Sequence, residues 1–369
     1  MIRTHRPTVF LLVVLFLFAD YGITAHAQGQ AGGGSLPGDA MGGAALIFHK
    51  PDNPPTHTGS SSGGAVGGGR VSGGRTSGGR PSGGRTSGGA GTRATTTAAS
   101  KAVAHEQVIA KGNAARSAPT PRYSEAEQQY KLAAKEDPND ARAHAGLGNI
   151  YLDQGRFNEA VEAYRQVLKL QANYHQVYQP LAYSLVRLGR YAEAVDTLKA
   201  ALQYDPKNPE IYNNLGFAYV HTAQYAEAIE ACQQAITLLG ETGEAFKLEL
   251  QARNEVLSNA YKNLGNAYNE LKKYNEAAAA LRHATEVEPK NAAAHFNLGL
   301  ALYNGGRFSE AIEAYKAVIA LKPTLAGAHY NLALAYVAIN DKEGVRREYE
   351  ILKPLNSAMA AQLQSFIKR

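Results

Sequence analysis

The apolar and small positions of this chain recur at a fixed interval. Leu147, Leu181 and Leu215 lie 34 residues apart, as do Leu264, Leu298 and Leu332 after one longer step. Each leucine is followed by a small residue, Gly148, Ala182, Gly216, Gly265, Gly299 and Ala333, and a second small series runs Ala160, Ala194, Ala228, Ala277 and Ala311. Apolar stripes at helical spacing on either side of a short polar break predict two helices per period, each burying one face against its partner and the next period. The two small series mark where those helices cross, since a bulky side chain at either would push them apart. Gly155, Gly189 and Gly306 fall where first helices end and a left-handed residue satisfies the last carbonyls. Pro138, Pro206, Pro289 and Pro323 follow second helices and stop them. The large residues Phe157, Tyr191, Tyr225, Tyr274 and Phe308 open the second helices and are read as core.

A period of 34 with these offsets resembles the tetratricopeptide repeat over about two-thirds of the chain. One unit carries the pattern almost in full: Ala260, Tyr261, Leu264, Gly265, Ala267 and Tyr268, then Tyr274 and Ala277, then Ala284 and Pro289. The resemblance implies an all-α, right-handed α-solenoid of about seven helix pairs over 101–354. The first unit is expected over about 105–140, and later ones near Ala141, His175, Pro209, Ser258, Ala292 and Ala326. Extra residues at about 243–257 contain no proline and should lengthen the neighbouring helices. Pro180 should make its helix start late or bend. Val345 departs from the alanine series, and Leu355, Met359, Leu363, Phe366 and Ile367 form the stripe of a capping helix over 355–369.

The N-terminal part has a different composition. Residues 1–27 read as a secretory signal: Arg3 and Arg6, an apolar run of 11 residues from Val9 to Ala19, then Ala25, His26 and Ala27, with cleavage expected before Gln28. The run is short against the roughly 20 residues of a membrane span, and an uncut inner-membrane anchor is the competing reading. Export to the periplasm or outer envelope follows. Residues 28–100 are expected to be a disordered linker rich in Gly, Ser, Thr and Arg, with Arg-x-Ser-Gly-Gly repeated four times from Arg70. The stretch 28–122 holds ten Lys or Arg against three Asp or Glu, which exceeds the whole chain's formal charge of +6 and leaves the helical part close to neutral. No nucleic acid is expected as partner, because export removes the chain from it and the tail lacks aromatics to stack on bases. Contact of the basic tail with an anionic envelope surface remains a secondary reading. Cys232, the only cysteine, occupies a large-residue core slot and cannot form an internal disulfide.

Catalysis is not expected. The sequence holds no phosphate loop, nucleophile elbow or spaced cysteine set, and neither a cofactor nor a metal is called for. His144, His295 and His329 share one packing slot, and zinc would need further ligands. The resemblance implies a protein or extended-peptide partner lying in a groove lined by first helices. Asn214, Asn263, Asn297 and Asn331 hold one slot in successive units, and a column of amides suits an extended backbone; bonding within or between units is the alternative. The column resembles the asparagine ladder in the repeat domain of the transferase that puts N-acetylglucosamine on nuclear proteins, without its catalytic domain. Lys262, Asn266 and Asn297 also fill three of the five positions of the carboxylate clamp by which some family members hold chaperone C-termini. Gly327 and Asn331 stand at the other two, normally basic, so that ligand is not expected. Asn259 and Asn269 complete the candidate groove, and a structural assembly factor working through the outer face or ends is the alternative function.

Overall fold

The computed structural model describes residues 52–56, 89–241 and 250–367. The expected secretory signal and most of the expected linker lie outside these residues, as do 243–249 of the insert.

The described residues form fifteen α-helices and no strand. They are α1 (Gly89–Arg116), α2 (Tyr123–Glu136), α3 (Ala141–Asp153), α4 (Phe157–Leu170), α5 (Tyr178–Arg187), α6 (Tyr191–Leu202), α7 (Pro209–His221) and α8 (Tyr225–Glu241). There follow α9 (Leu250–Glu270), α10 (Tyr274–Val287), α11 (Ala292–Asn304), α12 (Phe308–Leu321), α13 (Ala326–Ala338), α14 (Lys342–Leu355) and α15 (Ser357–Ile367). Consecutive helices pair as repeat units one to seven, and α15 packs on α13 and α14.

The crossing of each pair is set by the small residue. A Cβ added to Gly148 would stand 2.5 Å from Tyr164 Cε1, and one on Gly299 would stand 2.6 Å from Tyr315 Cε1. Tyr130, Tyr164 and Tyr315 are almost wholly buried in these notches, and Cys232 fills the same slot against Gly216. First helices of neighbouring units also touch one another, α1 with α3, α3 with α5, and α7 through α13 in series. First helices thus meet in two runs, α1 to α5 and α7 to α13, and form an inner layer with the second helices beside it.

The turns follow the expected chemistry. Gly155, Gly189 and Gly306 have φ of 72°, 72° and 76°, and Ala223, Lys272 and Asn340 adopt the same left-handed conformation at 57°, 58° and 61°. In each case the next backbone N–H returns to a carbonyl near the helix end, as in Arg156 N to Tyr151 O at 2.8 Å and Gln224 N to Tyr219 O at 2.9 Å. Asp140, Asn208, Asn291 and Asp341 cap first or second helices through their side chains.

Unit three begins with a 3-10 turn, His175–Val177, and its α-helix starts at Tyr178, so that Pro180 sits in the first turn where its missing N–H is not needed. The insert lengthens α8 to 17 residues and α9 to 21. Leu239 of α8 packs on Val256 and Leu257 of α9.

Three expectations need correction. The helical part begins at Gly89, before the expected boundary at 100, because an Ala- and Thr-containing run continues the first helix backwards. Residues 52–56 of the expected linker are held against α1 and α3 by hydrogen bonds. Leu355 belongs to α14 and is 38% exposed, whereas Leu363 of the expected stripe is buried beside Ala360, and Phe366 and Ile367 pack partly buried on the core.

Candidate functional site

The amide column runs along the inner layer, buried. Asn214, Asn263, Asn297 and Asn331 are between 0 and 5% exposed, and Lys262 and Asn259 are also buried. Asn213 Nδ2 donates to Asn214 Oδ1 at 3.2 Å, and Asn263 Nδ2 donates to Asn213 Oδ1 at 3.0 Å. Asn297 Nδ2 reaches back to Asn266 Oδ1 at 2.7 Å, and Asn304 Nδ2 to Asn269 Oδ1 at 3.2 Å. The column thus stitches neighbouring first helices together. At Asn331 the stitch lapses, since the preceding unit offers Leu300 where Asn266 would stand, and Asn331 Nδ2 is buried without a hydrogen-bond partner. Asn259 and Lys262 line an open pocket of about 300 Å³ with Glu255, Glu288, Lys290 and Lys322, a mixed-charge lining without one dominant sign.

The histidine slot has a structural explanation. Nε2 of His144, His295 and His329 lies 3.2, 3.0 and 2.8 Å from the carbonyl of the proline six residues earlier, and Tyr178 uses its hydroxyl likewise on Ala172. Each ties the start of a first helix to the preceding turn. No group of three potential metal ligands exists among the described residues.

A different set of polar groups faces residues 52–56. In units one and two the residue after the small glycine is asparagine, Asn113 and Asn149, and the large core slot opposite holds tyrosine, Tyr130 and Tyr164. Tyr130 Oη donates to Asn113 Oδ1 at 2.7 Å, and Tyr164 Oη donates to Asn149 Oδ1 at 2.8 Å. Burial pushes both phenols above their ordinary pKa, so each hydroxyl keeps its proton to donate. With its oxygen occupied, each amide turns its N–H groups the other way, towards the groove.

Those groups hold residues 52–56. Asn149 Nδ2 donates to Asp52 O at 2.7 Å, and Asn113 Nδ2 donates to Pro54 O at 2.9 Å. Arg142 Nη1 donates to Pro55 O at 3.2 Å. The Asn53 side chain accepts from Arg116 Nη1 at 3.0 Å and donates to Asn113 O at 3.3 Å and Ser117 Oγ at 2.6 Å. Pro54 is buried.

The two arginines are themselves fixed. Arg116 is 4% exposed and pairs with Asp153 at 2.8 Å. Arg142 pairs with Glu106 and Asp140, each at 2.7 Å; burial opposes its charge, but these hydrogen bonds outweigh it and raise the guanidinium's pKa. His105 joins Asp140 at 2.8 Å and Glu136 at 3.4 Å. Burial pulls the His105 pKa down, yet the hydrogen bonds to Asp140 and Glu136 carry it above the ordinary value. The donors are therefore rigid and charge-compensated.

The sequence reading placed the candidate groove in units four to seven and missed this one. The signal was present: an asparagine directly after the small residue, with tyrosine rather than leucine or cysteine in the large slot, occurs together in units one and two. In unit five Asn266 faces Leu281, no hydroxyl is available, and its oxygen serves Asn297 instead.

Comparison with known proteins supports the repeat assignment. Models described as tetratricopeptide repeat match residues 141–174, 209–241 and 262–326, and one described as TPR repeat matches 182–222. No curated protein matches the chain. A tetratricopeptide repeat protein from Parabacteroides merdae is similar in structure, with a TM-score of 0.51 at 16% identity over 72% of this chain and 100% of its own. YrrB, described as a TPR protein with an unusual peptide-binding site, gives 0.43 at 21% identity over 56% and 100%. The MamA protein gives 0.42 at 25% identity over 50% and 92%. The repeat matches and the paired-helix fold together identify residues 141–174, 182–241 and 262–326 of this chain as tetratricopeptide repeats.

Proposed function

We propose that this protein is a non-enzymatic interaction scaffold of the cell envelope that binds an extended peptide segment of a protein partner along the inner layer of first helices. The observation that carries the reading is the pair Asn113 and Asn149, whose amides are turned by buried tyrosines so that their N–H groups reach main-chain carbonyls of an extended segment. Backbone recognition by regularly spaced side-chain amides gives affinity without demanding a particular side chain at every position. Units four to seven supply rigidity through their interlocked amides, and of the groove first expected there Asn266 and Asn269 remain half-buried, beside the open pocket that Asn259 and Lys262 line.

Export to the periplasm or outer envelope rests on the sequence of residues 1–27 and predicts a mature N-terminus at Gln28. Mass spectrometry of the N-terminal peptide tests it, and a peptide retaining the apolar run would favour an inner-membrane anchor. No described helix is long and apolar enough to cross a membrane.

The binding reading is tested by affinity capture from envelope extract, wild type beside an Asn113→Ala, Asn149→Ala variant whose helicity is checked by circular dichroism. A protein held by the wild type and released by the folded variant supports it. Retention by both would move the function to the outer face and the ends of the helical stack.

A further inference from the structure

The segment in the groove is part of the same chain, and its chemistry matches the wall it lies on. Pro54 and Pro55 have no backbone N–H, so this stretch of main chain presents carbonyls that can only accept. The wall presents donors to those carbonyls: Asn149 to Asp52, Asn113 to Pro54, and Arg142 to Pro55. A proline after Asn53 biases that residue to the extended conformation, and the second proline does the same for Pro54. Little conformational freedom is then lost on docking. The side chain between the carbonyls must both accept and donate, because Arg116 Nη1 donates a hydrogen bond to it while Asn113 O and Ser117 Oγ each accept one from it. An amide does this. A carboxylate cannot, lacking the donors, and a hydroxyl has one proton for two acceptors.

From this we infer that the groove of units one and two is a binding site for extended Asn-Pro-Pro segments, and that the chain fills it with its own residues 52–56. The inference rests on the peptide-binding reading above and adds the ligand's chemistry and its control. A partner segment of the same kind enters by displacing the internal one. The tether permits this arrangement: α1 has 28 residues and is about 42 Å long, whereas residues 57–88 can extend to on the order of 100 Å. Ser117 at the far end of α1 is thus within reach of Asn53 in the same molecule. A segment so linked competes as an intramolecular ligand, at an effective concentration that does not depend on how dilute the protein is.

The test uses a fluorescein-labelled synthetic peptide of residues 50–58 and two full-length chains, wild type and Asn53→Ala, Pro54→Ala. Fluorescence anisotropy should show the peptide binding the variant at least about tenfold more tightly than the wild type, because the variant's internal segment no longer competes. The same peptide carrying Asn53→Asp should bind the variant at least about tenfold more weakly than the unmodified peptide, a comparison that leaves the protein untouched. Equal affinity of the unmodified peptide for both chains would overturn internal occupancy while leaving the groove a peptide site, so the broader reading would survive. No binding to either chain would overturn the ligand assignment, and capture from envelope extract would then decide the broader reading alone. Sedimentation at rising concentration should give a monomer; a dimer lost on Asn53→Ala, Pro54→Ala would show the segment exchanged between copies and overturn occupancy within one chain.

Discussion

Replacing Tyr164 with phenylalanine isolates the hydroxyl that orients Asn149. The ring would keep its place against Gly148, so no cavity opens, and the change is confined to one donor. Tyr164 is fully buried and Asn149 is 4% exposed, so the Asn149 oxygen left behind has no water to replace its partner. A typical hydrogen bond contributes about 1 kcal/mol net, and an unsatisfied buried acceptor costs about 1–3 kcal/mol; a loss of about 2 kcal/mol is expected. The amide is also released to turn over, which would set its oxygen against Asp52 O at the 2.7 Å contact now made by Nδ2. Peptide affinity should therefore fall, by roughly tenfold for each 1.4 kcal/mol lost. The comparison is Tyr315→Phe in unit six, where the residue after the small glycine is Leu300 and no amide is oriented. Urea unfolding followed by circular dichroism reads stability, and anisotropy with the 50–58 peptide on the Asn53→Ala, Pro54→Ala chain reads the groove. Equal stability losses for Tyr164→Phe and Tyr315→Phe, with unchanged peptide binding, would refute the orienting role.

Asn331→Leu removes a buried amide whose nitrogen has no partner and should stabilise the chain by about 1 kcal/mol, whereas Asn263→Leu, which strands Asn213, should destabilise it by about 2 kcal/mol in the same urea assay. Ala223→Gly relieves a left-handed alanine at φ 57° and should raise the urea midpoint, corresponding to about 1 kcal/mol, where Gly189→Ala should lower it by a similar amount. The His105 pKa is raised on folding, so the stabilisation it supplies is fully present below its unfolded value of about 6.5 and fades as pH rises through the folded value. Asp140 has the opposite sign: its folded pKa is lowered despite burial, by hydrogen bonds from Arg142 and His105, and its contribution fades only as pH falls through that lowered value. Urea midpoints between pH 5.5 and 8.5 should therefore decline with a steeper slope for wild type than for His105→Gln, and parallel slopes would remove His105 from the account.

Much of the helical architecture was legible in the residues. The interval of 34, the small residues at helix crossings, the turn glycines and the effect of Pro180 depend on contacts between neighbours close along the chain. Helical periodicity records such contacts directly, because each unit must bury the same stripe against the next. Even the lengthening of α8 and α9 followed from an insert without proline. The fate of individual polar groups was not legible in this way. Whether Asn263 or Asn297 meets solvent depends on how two first helices superpose, and the same slot is bonded in one unit and unpartnered at Asn331 because the neighbour changed from Asn266 to Leu300. Composition likewise marked residues 52–56 as part of a linker with little to bury. Their docking needs Asn113, Arg116, Arg142 and Asn149, between 59 and 97 residues away along the chain, brought to one surface by two helices of different units. The local pattern determined which helices form and where they turn. Only the tertiary structure decided which amides are consumed in holding the helices together and which are left facing a groove, because hydrogen-bonding capacity is assigned among whichever groups the packing brings within reach.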